Sequence, residues 1–448
     1  MKLVRETGRE EAMKLTRPTR SLAAAATLSL FAALTLAGCS SAEVPDDADG
    51  DVELVIWTFL SREGTSPREV VLNDLITQFE DDHPGVTVSV EAQPFEELES
   101  KFITASQRGD APDLIWARDT FLYLLDDAGS LLDLEDQLSE EFKTEALPDM
   151  FDVFTDKAVF DDRRVALPLW PTPAQTIFYR SDVLQAAGYE APPLNWDDML
   201  DALGPLTSGN QFGLGLPTND TGVTPFLMLL NGFEDEVFDQ KTGRFDLLGD
   251  ESVQVAETLR TLGASGDVPA DAISSTGQDV QDQFASGRFA MAMAFGPRFS
   301  AYQESAAGYD PSTLRVSAWP SFDSDNPSAL LGPYWNVGIS AETEHPEEAT
   351  ALLESLYTVD ASAQWAEVAG QVPDRRSVLS DPFFETDQGK VIVDFVEIID
   401  ADGARVLPQK LEDVTQLANV LNGVTQRLLG TDEDVKKILS DAKAELGW

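Results

Sequence analysis

From residue 52 onward, short apolar runs alternate with segments of helical period, and that alternation restricts the fold more than any other feature of the chain. Residues 52–59 (VELVIWTF) are a nearly continuous apolar run, as expected of a strand buried on both faces. Residues 68–81 place Val71, Leu72, Leu75, Ile76 and Phe79 at helical spacing, and Pro84 stops that helix. Val86, Val88 and Val90 alternate as a second strand. Residues 95–106 read as a second helix, and residues 114–116 as a third strand behind the turn Gly109-Asp110-Ala111-Pro112. This order implies an α/β fold with a parallel sheet and right-handed crossovers. Roughly 400 residues are too many for one such unit, so two lobes are expected. Further along come a strand at residues 176–179 and several helices. The last stretch is helical, with Leu417, Val420, Leu421, Val424, Leu428, Val435, Ile438, Leu439 and Leu446 at core spacing.

The first 51 residues follow other rules. Lys14, Arg17 and Arg20 form a basic region ahead of an apolar run at residues 22–37, which is short for a membrane span. It ends in Leu36-Ala37-Gly38-Cys39, and Cys39 is the single cysteine of the chain. Small residues admit a signal peptidase, and the thiol behind them offers a point of lipid attachment, so the motif resembles the bacterial lipobox. Residues 1–38 then read as a signal peptide, with 1–12 upstream of the true start at Met13, since Glu6, Glu10 and Glu11 fit poorly in a basic n-region. Residues 39–51 read as the lipidated cysteine and a polar, acidic tether. Fully extended, that tether would reach about 40 Å. Its Asp cluster does not match a calcium loop: with Gly50 as the loop glycine, the first and twelfth ligand positions would be Pro45 and Ile56. No metal or cofactor is expected.

Acidic residues outnumber basic ones by 79 to 31, a formal net charge of −48, and removing residues 1–38 makes the chain more acidic still. Such a surface repels nucleic acid and anionic headgroups, which excludes those partners. Salt or solubility adaptation accounts for the acidity.

Read in order, several segments resemble the family 1 extracellular solute-binding proteins, which include the maltodextrin-binding type. The residues that carry the resemblance begin with Ile56-Trp57 and the run Gly109 to Asp119 (GDAPDLIWARD). They continue through Arg163 to Pro168 (RRVALP) and Phe178 to Leu184 (FYRSDVL). Then come Ala187-Gly188-Tyr189 and Pro192 to Met199 (PPLNWDDM). Phe284 to Met291 (FASGRFAM), His345 to Ala349 (HPEEA) and Gly370 to Arg375 (GQVPDR) complete the set. The resemblance implies two α/β lobes joined by crossing strands, closing by hinge motion over a ligand in the cleft between them. Residues 52–170 with 322–358 would form lobe 1, and residues 171–321 with 359–448 lobe 2. The crossings would fall near residues 169–173, 319–322 and 358–361, with Pro168, Pro171 and Pro173 stiffening the first. It further implies a monomer on the outer face of the cytoplasmic membrane, delivering a small molecule to ABC permease subunits.

A sugar offers hydroxyls that need donors and acceptors, and C–H faces that stack on aromatic rings. Ligands of open α/β sheets lie at strand ends. By that reasoning Trp57, Trp170, Trp335, Phe226 and Phe295 are candidate ring partners, and Asp119, Arg298 and Arg375 candidate polar ones. Asp119 is where the resemblance places a hydroxyl-binding aspartate. Many carbohydrate binders of the family carry an aromatic two residues after the glycine at 296, where this chain has Arg298. That departure leaves a polyol, a glycerol-phosphate ester or a polyamine as alternatives to a saccharide. An enzyme is disfavoured, because His83 and His345 are the two histidines and each precedes a proline at a helix boundary. A glycoside-acting carboxylate pair remains the open enzymatic alternative. Trp196 is expected to pack at the start of a helix.

Overall fold

The computed structural model describes residues 52–448 except 220–223, 234–236, 240–241, 297–298, 324–327, 333, 402–403 and 407–413. Cys39, with the signal and tether segments, and Arg298 lie outside the described residues.

The opening alternation folds as a sheet. Strands β1 (Val52–Thr58), β2 (Val86–Ala92) and β3 (Leu114–Arg118) run parallel, with β1 paired to both others. The helix Pro67–Asp82 joins the first two and the helix Leu98–Ser106 the next. The first helix begins at Pro67, whose missing N–H costs nothing at that position, and is closed by a capping box between Ser66 and Glu69. The five apolar residues at helical spacing are the ones it buries. The second helix starts at Leu98 rather than residue 95, which leaves Phe95 outside it and nearly half exposed.

After a small hairpin, β4 (Val159–Phe160) with β5 (Arg163–Arg164), strand β6 (Leu167–Leu169) comes to the edge of the first sheet. The chain then enters a second sheet with β7 (Thr176–Arg180), β8 (Phe212–Gly215), β9 (Phe289–Ala294) and β10 (Leu314–Ser317), in the order β10-β7-β9-β8. Strand β11 (Ala329–Leu331) pairs with β13 (Ala404–Val406), and β12 (Trp335–Ile339) inserts antiparallel between β3 and β6. The first sheet therefore reads β2-β1-β3-β12-β6.

Two segments that join the sheets run side by side. Residues 170–175 lead from β6 to β7, and Gly332 and Tyr334 lie between β11 and β12. Ala174 N donates to Leu330 O at 2.7 Å and Gly332 N to Thr172 O at 2.8 Å. This return lies beyond the expected residues 319–322, because Trp319 bridges to Ser328 and residues 329–331 pair with β13. Nor do residues 358–361 form a crossing. Thr358 caps the helix Val359–Glu367, and Ala361 and Trp365 of that helix pack with Leu54, Ile56, Trp116 and Val337 in the core of the first sheet. The passage comes later, ahead of the helix Asp387–Ile399, whose Val391, Ile392 and Phe395 pack with Phe178, Ala292 and Val316 of the second sheet.

The C-terminal helices Val414–Gly430 and Val435–Leu446 bury the predicted stripe of Leu417, Leu421, Val424, Leu428, Ile438 and Leu439 in the core under the second sheet. Trp196 packs there too, stacked between Trp319 and Phe322. The helix Asp250–Ser265 crosses Val414–Gly430 closely at Gly263, where a Cβ would fall 2.5 Å from Leu429 O and 2.7 Å from Leu429 Cα. Backbone atoms cannot retreat as a side chain would. Gly263→Ala is therefore expected to lower stability by about 1–3 kcal/mol, as overpacking does, read as a lower urea midpoint with unchanged slope.

Candidate functional site

A cleft of about 180 Å³ opens where the strand ends of the two sheets meet the joining segments. The first sheet supplies its wall through parallel geometry, since β1, β2 and β3 all finish on the same edge. Arg118 is the last residue of β3, and Phe95 follows β2. Because β12 runs the other way, it starts at that edge, and its first residue, Trp335, pairs in register with Arg118 on one side and Leu169 on the other. Trp170, next after β6, completes the floor. The opposite wall comes from Phe295 and Gly296 directly after β9, from Phe299, and from Phe395. Pro171, Thr172, Tyr334 and the segment Gly370-Gln371-Val372 close the back.

The aromatic wall is locked by ring contacts. Trp335 stacks on Phe59 at 4.4 Å with an interplanar angle of 26°, and Phe95 meets Trp335 edge-on at 5.5 Å. Trp170 lies edge-on to Trp116 at 5.1 Å and to Trp365 at 4.9 Å, and its ring carries the Arg68 guanidinium 4.7 Å from the centroid. Trp170 has φ +53, a left-handed conformation that costs a non-glycine residue about 1–2 kcal/mol. Its backbone N–H donates to Asp374 Oδ1 at 2.8 Å, which holds it there.

Polar groups are few. Arg68 donates through Nη2 to Gln371 Oε1 at 3.0 Å, and burial brings its guanidinium down to about 10. Arg118 donates to both Glu99 oxygens, at 2.9 and 2.7 Å, and that pairing raises its already high pKa further. The indole Nε1 of Trp170 and the hydroxyl of Tyr334 are shielded from solvent with no hydrogen-bond partner among the described residues.

Three sequence candidates, Trp170, Phe295 and Trp335, are thus brought together on the cleft. The others stand elsewhere. Strand alternation turns Trp57 to the opposite face from Ile56: it meets Phe102 edge-on and donates to Glu91 Oε2 at 2.7 Å. Asp119 sits beside the cleft without lining it. Its N–H donates to Tyr334 O, its Oδ2 lies 3.2 Å from where a Gly332 Cβ would be, and its Oδ1 is shielded and unpartnered. Phe226 is fully buried on a short helix under the second sheet, stacked on Phe245, so it is a core residue. Arg375 is committed to Asp149 at 2.7 Å and to Tyr357 O, a structural tie. Arg68, Phe95, Gln371, Tyr334 and Phe395 were missed. Gly370-Gln371 lay inside a matched motif and Phe95 follows Pro94, but Arg68 carried no signal apart from its place in the first turn of a helix.

With this geometry in view, the comparisons are coherent. The model of the bacterial extracellular solute-binding protein family matches residues 74–390, and the chain belongs to that family. A binding protein of Brucella abortus is 23% identical over 422 residues, covering 92% of this chain and 96% of its own. The sugar-binding protein MalE of Xanthomonas citri superposes with a TM-score of 0.72 at 18% identity, covering 88% of this chain and 96% of its own. The GacH receptor of Streptomyces glaucescens, solved unliganded and with acarbose, gives 0.67 at 20% identity, covering 89% and 99%. The two-lobe binding-protein architecture implied by the sequence is the fold observed.

Burial pushes the Asp374 carboxyl up to about 8 and that of Asp119 up to about 7. Both lie above the roughly 3.9 of an unfolded aspartate. The folded chain therefore binds more protons than the unfolded chain between about pH 4 and 8, and stability falls as pH rises through that window. Melting temperature should drop between pH 5 and pH 8.5. Asp374→Asn combined with Asp119→Asn, which imitates the protonated acids, should flatten the pH profile in differential scanning calorimetry.

Proposed function

We propose that the protein captures a small carbohydrate outside the cell and delivers it to the permease of an ABC importer. The observation that carries this reading is the cleft itself. Trp335, Phe95 and Phe295 line it from both sheets, with the Arg68 guanidinium, lying over the Trp170 ring, and the Gln371 amide beside them. That is the mixture a sugar's C–H faces and hydroxyls require. The joining segment 170–175 lies beside Leu330 and Gly332 next to the cleft, so rotation of one sheet body against the other about it would open and shut the cleft. A volume of about 180 Å³ is small beside the roughly 300–1,000 Å³ of drug-sized sites and suits a compact guest of one or two rings. The sugar-binding relatives in structure support the carbohydrate class over a polyol, a glycerol-phosphate ester or a polyamine. Among the described residues no acid lines the cleft, which disfavours a polyamine in particular. The lipobox-like sequence supports anchoring through Cys39, with the body held off the outer face of the membrane by the tether.

A thermal-shift screen of saccharides, polyols, glycerol phosphates and polyamines tests the cargo. A ligand at 100 times its dissociation constant stabilises by about 2.7 kcal/mol, and a shift confined to non-carbohydrates overturns the reading. For the saccharide so identified, Trp335→Ala should weaken binding by about 2 kcal/mol, roughly 30-fold, as loss of a central aromatic anchor does. Trp57→Phe should leave the affinity within twofold in the same titration calorimetry. In the native host, Cys39→Ala should move the protein from the membrane to the soluble fraction and abolish labelling by palmitate.

A further inference from the structure

Among the described cleft residues, Arg68 is a cation whose hydrogen-bonding capacity is not used up by the protein around it. Many other arginines meet acids: Arg118 is held by Glu99, Arg164 by Glu135, Arg315 by Asp394, Arg375 by Asp149 and Arg427 by Glu433. In a chain with 79 acidic residues, a guanidinium without a carboxylate is conspicuous where it is also drawn away from water. No acid among the described residues pairs with Arg68. Its face is covered by Trp170 and one nitrogen donates to Gln371. A guanidinium carries five N–H donors in a fixed fork, so donors remain for something else.

The surroundings favour a charged acceptor. Phe95, Phe295, Phe299, Trp335 and Phe395 make the cleft largely apolar, and the second guanidinium, Arg118, stands on the same wall. A half-buried cation with no counter-charge is costly to leave unpaired, and in a largely apolar cleft a charge-assisted bidentate bond outweighs a neutral one. Trp170 and Tyr334, on the same lining, are themselves shielded from solvent, so Arg68 is the donor the cleft offers here. Its fork donates, and an anionic oxygen accepts.

We infer that the ligand carries an anionic group, a carboxylate or a phosphate on the saccharide, and that Arg68 is the residue that selects for it. The inference rests on the carbohydrate reading and narrows it. The acidic surface repels anions at long range, so an anionic guest would depend on this local donor.

Native mass spectrometry of the intact secreted domain decides the matter. The probes are maltose and maltotriose, the di- and trigalacturonates, and glucose 6-phosphate, offered singly and in competition. Retention of an acidic probe over the neutral ones, weakened about 10- to 100-fold by Arg68→Gln and by raised salt, is the expected result. The galacturonate and phosphate arms tell which anion is read. A far-ultraviolet melt of Arg68→Gln establishes that the variant is folded, and the salt dependence of the wild type stands without it. Equal retention of neutral and acidic sugars, indifferent to salt and to Arg68→Gln, overturns the inference and leaves the carbohydrate reading standing. Retention of no saccharide of either kind overturns both.

Discussion

The cleft depends on the insertion of β12 between β3 and β6. A strand that arrives late in the sequence fills a gap between two early ones, and its five residues are hydrogen-bonded along β3 and along part of β6. That single placement puts Trp335 opposite Arg118 and Leu169, and brings Tyr334 to the edge of the first sheet while Gly332 donates to Thr172 O. Remove the pairing and the wall and its register go together. Gly332 has φ +94 at the turn into β12, where a side chain would also press on the Asp119 carboxyl. Glycine is required there on both counts.

A second constraint is electrostatic. Asp374 and Asp119 are carboxyls shut away from water at the two ends of the same region, each with one oxygen lacking a partner. Their positions are structural: one fixes the left-handed backbone of Trp170, the other receives the turn before β12. A protonated acid keeps one accepting oxygen and avoids a buried charge, which is why burial raises their affinity for protons. Arg68 faces the reverse problem, since a guanidinium cannot readily shed its charge.

Much of the first sheet was legible because its rule is local. Apolar runs at residues 52–59 and 114–116, a 3.6-residue stripe between them, and Pro84 as a stop leave little freedom. The joins were less legible because they are set by partners distant in sequence. Residues 319–322 resembled a crossing until Trp319 met Ser328 and β11 met β13. Among the candidate residues, Trp170 and Trp335 lie on the cleft at strand ends, but Trp57 lies off it. Period-two alternation gives a side without saying which side faces the cleft, and Ile56 takes the core under the first helix. Phe226 and Arg375 stand off the cleft for another reason. A ring or a guanidinium suits a sugar and a protein interior equally well, and only Phe245 and Asp149, remote in sequence, decide the matter.

The two walls differ in how they are built, and that difference has an evolutionary reading. Trp335 belongs to a strand bonded on both flanks, so its ring cannot be relocated without rebuilding the sheet. Phe295 and Phe299 stand just past the end of β9, on a turn and the start of a six-residue helix. Divergence toward a new cargo would therefore be written in the second wall, where exchange disturbs no ladder, while the first is inherited as a fixed template.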